Sequence, residues 1–356
     1  MIISKISEII VGIVTYNSRD DIDACLERLQ EQTYLSFDVT LFDNASSDGT
    51  ADWLETHWPQ HRLIRSEENI GFGNAHNRII AATESKYYLA LNPDAILMPD
   101  YIEEMVKTIE SEAQVGWVAG KLYFFKDETE IGNSDIEKII YTSGHAVFRD
   151  GFAINIGCKR PDNKRYQEKH EVFGANAAAP LYRRAMLEDI QFKDGEYFDE
   201  AIFLYHEDVD LDWRARLLGW RCLFTPDAVG YHAQGASGGT SVRSIMFAIT
   251  ATRYYSIFKH AFLFDLLTYN IPAFILHSLF MLLTQPQRGL ATIRYIFERL
   301  GHIRRKRKWL ASHRKISRQE LQAWYAWSSQ QGQEQSYNYF ARFWRGRILR
   351  KPVSEG

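Results

Sequence analysis

The feature that most limits the fold is a repeated pairing near the start of the chain. β-branched apolar runs stop on polar clusters and alternate with amphipathic stretches of about ten residues. Glu8–Thr15 is one such run and leads into Tyr16-Asn17; Phe37–Phe42 ends on Asp43-Asn44; Tyr87–Leu91 ends on Asn92-Pro93-Asp94. Between them Ile22–Gln32, Thr50–His57 and Phe72–Thr83 carry helical spacing, Arg62–Arg65 reads as a weak strand, and Tyr101–Glu112 as another helix. Such alternation predicts βαβ units and a mostly parallel sheet. In open α/β sheets ligands bind outside the carboxyl ends of the strands, so three polar clusters on that edge form one candidate site.

The middle of the chain, Val115–His232, is mixed. Val115–Phe125 and Phe173–Tyr182 read as strands and Asp208–Leu218 as a helix, whereas Asp127–Lys138 and Arg160–Glu171 are charged and loop-like. Helical patterning dominates from Arg253, and Ser328–Ser336 is a Gln/Ser-rich candidate linker. The expected division is a domain over 1–250, with a donor-binding half over 1–125 and an acceptor and catalytic half over 126–250, followed by a helical region over 251–356. With 46% hydrophobic and 24% charged residues in 356, the chain has the composition of a globular protein and needs no disulfide staples. Cys25, Cys158 and Cys222 lack metal-site spacing and read as reduced packing thiols. The N-terminal apolar stretch lacks a small-residue cleavage site and runs straight into a strand pattern, so it is not read as a signal peptide; the expected location is the cytoplasm.

Four segments carry chemistry. Asp43-Asn44-Ala45-Ser46-Ser47-Asp48-Gly49-Thr50 offers a carboxylate for a base or ribose, and equally has the composition of an ordinary turn. Asn69-Ile70-Gly71-Phe72-Gly73-Asn74-Ala75-His76-Asn77 is a glycine turn opening a helix, where backbone N–H groups approach ligands closely; it is not the G-x-G-x-x-G dinucleotide pattern. Asn92-Pro93-Asp94 offers a carboxylate to Mg²⁺ or Mn²⁺, which retain waters and need one or two carboxylates. His206-Glu207-Asp208-Val209-Asp210-Leu211-Asp212-Trp213-Arg214 holds four acids in six residues, close enough to raise a pKa by mutual repulsion or simply to favour a helix N-terminus. His232 stands near the Gly/Ser-rich segment 235–241.

Taken in order with Ile13-Val14-Thr15-Tyr16-Asn17, Leu91 before Asn92-Pro93-Asp94, and His232, these segments resemble family 2 of the inverting glycosyltransferases over residues 8–245, and most closely its rhamnosyltransferase-like branch that builds bacterial surface polysaccharides. The resemblance implies a GT-A fold and a nucleotide-diphosphate sugar donor. Thr15 and Asp43 would hold the nucleotide, with Tyr16, Asn17, Asn69, Gly71, Asn77 and Asn92 as further donor-binding candidates. Asp94 would bind a divalent metal, Mg²⁺ or Mn²⁺, through the diphosphate, with His232 as a further ligand. Asp208 would be the general base, and Glu207, Asp210, Trp213 and Arg214 acceptor contacts or supports. The usual Asp-x-Asp of the family stands here as Asn92-Pro93-Asp94, leaving one direct carboxylate.

The net charge of −3 hides an asymmetry. From Thr252 to Gly356 there are 18 Lys+Arg against 5 Asp+Glu, a surplus of +13 that leaves −16 for residues 1–251. Phe258–Leu283 is apolar but interrupted by Asp265, Asn270, Pro272 and His277, and Arg304-Arg305-Lys306-Arg307-Lys308 follows. An acid near mid-membrane costs about 2.5–3.5 kcal/mol on insertion scales, which argues against spanning. A broken apolar stretch beside a basic cluster suits a helix lying on an anionic membrane, here the inner face of the cytoplasmic membrane, where a lipid-linked glycan acceptor would be met; a packed bundle with a solvated basic face is the plainer alternative. A nucleotidyltransferase would carry a basic Gly-rich loop after the first strand, and Asn17-Ser18-Arg19-Asp20 is not one. The acidic front disfavours nucleic acid as a partner of the tail.

Overall fold

The computed structural model describes residues 7–192, 195–233 and 242–334. The first part alternates as the spacing predicts: β1 (Ile9–Thr15), α1 (Ile22–Gln30), β2 (Phe37–Asp43), α2 (Thr50–His57), β3 (Arg62–Arg65), α3 (Phe72–Ala81), β4 (Tyr87–Leu91), β5 (Ala95–Leu97) and α4 (Tyr101–Glu110). There follow β6 (Val115–Phe125), the short strands β7 (Ile140–Thr142), β8 (His145–Val147), β9 (Ala153–Asn155), β10 (His170–Val172) and β11 (Leu181–Arg183), then α5 (Arg184–Ile190), α6 (Glu207–Leu217) and the long β12 (Arg221–Ala233).

The main sheet has ten strands in the order β10-β12-β6-β11-β4-β1-β2-β3, with β5 on β12 and β7 on β6. Through its centre β12, β6, β4, β1, β2 and β3 all run the same way, and β11 between β6 and β4 is reversed. The central sheet is therefore mostly parallel, and its carboxyl edge gathers the polar clusters after β1, β2 and β4. β1 is buried along its whole length. Its alternate residues Ile9, Val11 and Ile13 pack with Cys25 and Leu26 of α1 and Met105 of α4. Ile10 and Val14 join the opposite layer with Ile79 of α3 and Leu211 of α6. Period-two alternation thus feeds two cores, one on each face.

The expected strand over Phe173–Tyr182 is broken. β10 ends at Val172 and pairs with β12; within 173–182 only Leu181 and Tyr182, in β11, join the main sheet, and apart from a single bridge from Gly174 to His145 the chain between turns past α6. The backbone donors of Ala175 and Ala177 go to the carboxylates of Asp212 and Asp208, at 3.3 and 3.2 Å, and Ala178 N–H goes to Asn176 Oδ1. Side-chain acceptors replace a ladder there.

The rest is helical: α7 (Val242–His260), α8 (Leu263–Asp265), α9 (Ile271–Thr284), α10 (Pro286–Glu298), α11 (Leu300–His313) and α12 (Arg318–Glu334). Helix α12 takes in Ser328 and runs to Glu334, so most of the expected linker is helix; its last two residues and the 235–241 segment lie outside the described residues. Tyr255, Ile257, Ile296, Ile303, Leu310 and Tyr325 from these helices share one continuous core with α3 and α6. The basic run is split by this packing. Lys306 is buried and Arg307 half-buried, donating to the carbonyls of Phe258 and Ala261, while Arg304, Arg305 and Lys308 face solvent.

Candidate active site

The site is assembled from three corners of the carboxyl edge. At the first, register places Thr15, the last residue of β1, beside Asp43, the last of β2. Thr15 Oγ1 donates to Asp43 Oδ1 at 3.1 Å, and Ser46 N–H donates to Asp43 Oδ2 at 3.0 Å. Asn17 reaches across with its N–H on Ser46 Oγ and its side-chain oxygen accepting from Ser47 N–H, at 2.9 and 2.8 Å. Asn17 and Ala45 both have φ in the left-handed region, 52° and 64°, which marks two tightly turned loops facing each other. Asn44 binds Asn69 Oδ1 through its amide nitrogen at 3.0 Å and Ile70 N–H through its oxygen at 2.9 Å; Asn69 Oδ1 also takes Gly71 N–H. These bonds fix the glycine turn against β2, and Tyr16, the residue after β1, is exposed.

Two donor-site expectations are placed differently from the rest. Asn77 is buried, and both ends of its amide bind the Phe198 backbone at 2.8 Å. A Cβ on Gly71, at φ 87°, would stand 2.4 Å from the Phe203 carbonyl. Both residues hold the 198–203 segment on α3, because a buried amide must bond whatever backbone packs on it.

At the second corner β5 runs antiparallel to β12 with Ala95 opposite His232, and this pairing brings Asp94 and His232 together from far apart in sequence. His232 Nε2 is 3.4 Å from Asp94 Oδ1 and 3.1 Å from Asn92 Nδ2. Tyr141 of β7 stacks flat on the imidazole, with centroids 4.4 Å apart and planes 3° apart. Burial pushes the Asp94 carboxyl up, and His232 offsets part of that. Burial and then the Asp94 charge also raise nearby Asp21. If Asn92 donates to Nε2, a nitrogen lone pair faces a carboxylate oxygen, an arrangement that a cation relieves. The donor set therefore fits a divalent ion whose other ligands come from diphosphate and water. Among the described residues no group of three His, Cys, Asp or Glu converges as a closed metal site.

The third corner is the N-terminus of α6. Tyr205 and His206 enter it in left-handed conformation, φ 65° and 79°, and His206 Nε2 lies 2.9 Å from the Gly151 carbonyl oxygen. The four acids then separate by environment. Asp208 keeps 14% of its side chain exposed, with Oδ2 accepting Ala177 N–H. Glu207 is buried, and burial followed by the Asp208 charge pushes it up to about 8. Asp210 is buried against Lys259, Ser256 and His260 at 2.5, 3.0 and 3.0 Å. Asp212 is buried and raised to about 6, chiefly by burial. Mutual repulsion, expected for so dense a run, is thus a secondary influence here. Trp213 and Arg214 are core residues, Arg214 donating to the Ile190 and Tyr197 carbonyls. Asp210, Trp213 and Arg214 accordingly support the helix from within.

The second and third corners are joined by a short backbone bridge. Asn92 N–H donates to the Ala178 carbonyl at 2.8 Å, while Ala177 N–H, one residue earlier, holds Asp208. Tyr141 feels both carboxylates: burial and then the charges of Asp208 and Asp94 push its hydroxyl up. The sequence pattern names Asn44 only as part of the Asp43-Asn44 cluster, with no role of its own, and does not single out Tyr141, Asp21 or His145. Asn44 stood inside a recognised segment; Tyr141 and His145 sit on three-residue strands with no local signal.

A sequence model of glycosyl transferase family 2 matches residues 10–190. The N-acetylglucosaminyl-diphospho-decaprenol L-rhamnosyltransferase of Mycobacterium tuberculosis is 26% identical over 254 residues, covering 68% of this chain and 81% of that protein. The succinoglycan biosynthesis protein ExoO of Rhizobium meliloti is 26% identical over 231 residues, covering 64% of this chain and 61% of that one. The fold is similar to a crystal structure of GalNAc-T7 with UDP, GalNAc and Mn²⁺, with a TM-score of 0.54 at 11% identity, over 71% of this chain and 48% of that one.

Proposed function

The chain belongs to glycosyl transferase family 2, and on that premise we propose that it is an inverting enzyme moving a sugar, L-rhamnose from dTDP-rhamnose, onto a hydroxyl of a lipid-linked bacterial surface glycan. The observation that carries the reading is the bridged pair of corners: Asp94 with His232 on one side of the Ala177–Ala178 turn and Asp208 on the other. Thr15, Asp43 and the Asn44–Asn69 pair form the nucleotide end of the site. A divalent ion, Mg²⁺ or Mn²⁺, held by Asp94 and His232 would supply charge neutralisation for the diphosphate.

The remaining chemistry belongs to the chain's own groups. Asp208, anchored by Ala177 N–H and partly open to solvent, takes the proton of the acceptor hydroxyl. The acceptor oxygen bonds to the anomeric carbon as the bond from that carbon to the diphosphate oxygen breaks, and a single displacement on the opposite face inverts the configuration. A nucleotidyltransferase or a nucleic-acid binder is disfavoured by the family match.

The same reading places the enzyme peripherally on the inner face of the cytoplasmic membrane. Leu263–Thr284 is long and apolar enough to cross a bilayer, with a mean hydropathy of 1.7. Its polar interruptions, however, are bonded to the protein: Asp265 to Arg149 and Arg318, Asn270 to the Arg149 carbonyl, and His277 to Tyr254. Leu276, Leu279, Leu283, Leu290 and Phe297 remain exposed. A helix pinned along one face and apolar on the other suits the membrane interface rather than a span. Transfer from dTDP-rhamnose to a polyprenyl-diphosphate glycan, compared with other nucleotide sugars, tests the reading; equal rates with unrelated donors would remove the rhamnose assignment.

A further inference from the structure

One buried imidazole faces the candidate base from outside every segment singled out in the sequence. His145 opens β8 and is 3% exposed. Its backbone is held on both sides: it pairs with Asn155 of β9, and its N–H donates to the Gly174 carbonyl at 2.7 Å. Its Nδ1 lies 2.9 Å from Asp212 Oδ2 and its Nε2 lies 3.7 Å from Asp208 Oδ2. Asp208 and Asp212 are one helical turn apart on α6, so a single ring placed beside that helix meets both carboxylates. Asp212 is fully buried and takes Ala175 N–H. A Cβ on Gly174 would fall 1.8 Å from Asp212 Oδ2, so the chain passes there only as glycine.

We propose that His145, braced by Asp212, is a positioning residue that orients Asp208 for proton abstraction. The inference rests on the reading of Asp208 as the base. A neutral imidazole with Nδ1–H on Asp212 presents its Nε2 lone pair to Asp208; an imidazolium presents a proton to both carboxylates. Burial opposes the charged ring, but Asp208 and then Asp212 outweigh it and raise the His145 pKa. The other groups facing this chain are Glu207, His206 and Arg216 from α6 and its entry, Tyr141 from β7, Tyr182 from β11 and Cys222 from β12. Burial holds both tyrosines and the cysteine in their neutral forms and lowers His206, and Arg216 is paired with Glu171. A cation beside Asp208 favours its carboxylate, as any opposite charge within several ångströms does.

The test is His145→Gln, which keeps a polar side chain and removes the charge. Turnover should fall about tenfold or more with the donor KM unchanged, and the acid limb of the kcat/KM profile should move up by about one pH unit. A folded variant with the wild-type pH profile overturns the proposal. A second measurement needs no change at His145. Ring-¹⁵N spectra of wild type and Asp208→Asn should show the His145 pKa falling by about one unit when the facing charge is removed. An unchanged His145 titration in an inactive Asp208→Asn enzyme sinks the positioning role alone. Retained transfer in Asp208→Asn sinks the base reading instead.

Discussion

Lys306 Nζ lies 2.6 Å from Asp199 Oδ1 and 2.8 Å from Glu196 Oε1, with all three groups inside the protein. Asp199 is also met by Lys259 and Tyr255, and Lys259 reaches on to Asp210, two residues beyond the candidate base. The charge asymmetry between the two halves of the chain is therefore in part internal complementarity. Basic helices α7 and α11 neutralise acids on α6 and on the segment leading into it.

Removing one member of such a pair leaves a buried charge. Lys306→Met should cost about 3–5 kcal/mol, and Arg305→Ser, on the exposed side of the same helix, should change stability little. Urea unfolding of the two variants checks this; equal effects would mean that the buried pairing does not hold the helices to the domain.

Glu207 gives a pH signature. Its folded pKa of about 8 lies above the ordinary glutamate value of 4.5, so between those values the native state binds the extra proton. This contribution is fully present below about pH 4.5 and is lost as pH rises toward 8, at up to about 1.4 kcal/mol per pH unit. Glu207→Gln should flatten that decline and be more stable than wild type at pH 8. Urea midpoints at pH 5 and pH 8 measure it, and a variant with the wild-type slope would exclude Glu207 as its source.

The parallel half of the sheet and the three polar edges were legible because each strand ends where its apolar run ends. Thr15 beside Asp43 follows from that regularity. Asp94 beside His232 does not: it depends on β5 turning back to pair with β12, a three-residue contact with no pattern of its own. The 173–182 segment misled because its apolar and small residues resemble a strand, whereas its N–H groups are taken by Asp208 and Asp212. Lys306 and Arg307 read as surface charge because a run of five basic residues conceals which of them a helix turns inward.

Membrane association should separate into two parts. Replacing Arg304, Arg305 and Lys308 with Ser should weaken binding to anionic vesicles at low salt by about 1 kcal/mol per residue. Replacing Leu276, Leu279 and Leu283 with Gln should abolish the salt-resistant part. Vesicle co-sedimentation across a salt series reads both, and unchanged binding in both variants would return the tail to a packing role.

The metal corner predicts a coupled loss. In Asp94→Ala, His232→Ala the Mn²⁺-dependent gain in dTDP affinity should drop about tenfold or more, as for loss of a charge-assisted contact. Calorimetric titration with and without chelator measures it, and an undiminished Mn²⁺ effect would place the ion elsewhere.

Acceptance of the acceptor hydroxyl's proton by Asp208 is read without intermediaries by single-turnover sugar transfer in Asp208→Asn with saturating donor and lipid-linked acceptor. The transfer rate should fall about 10²–10⁴-fold with nucleotide affinity intact. A variant that binds nucleotide normally and keeps more than about a tenth of the wild-type rate would contradict Asp208 as the base.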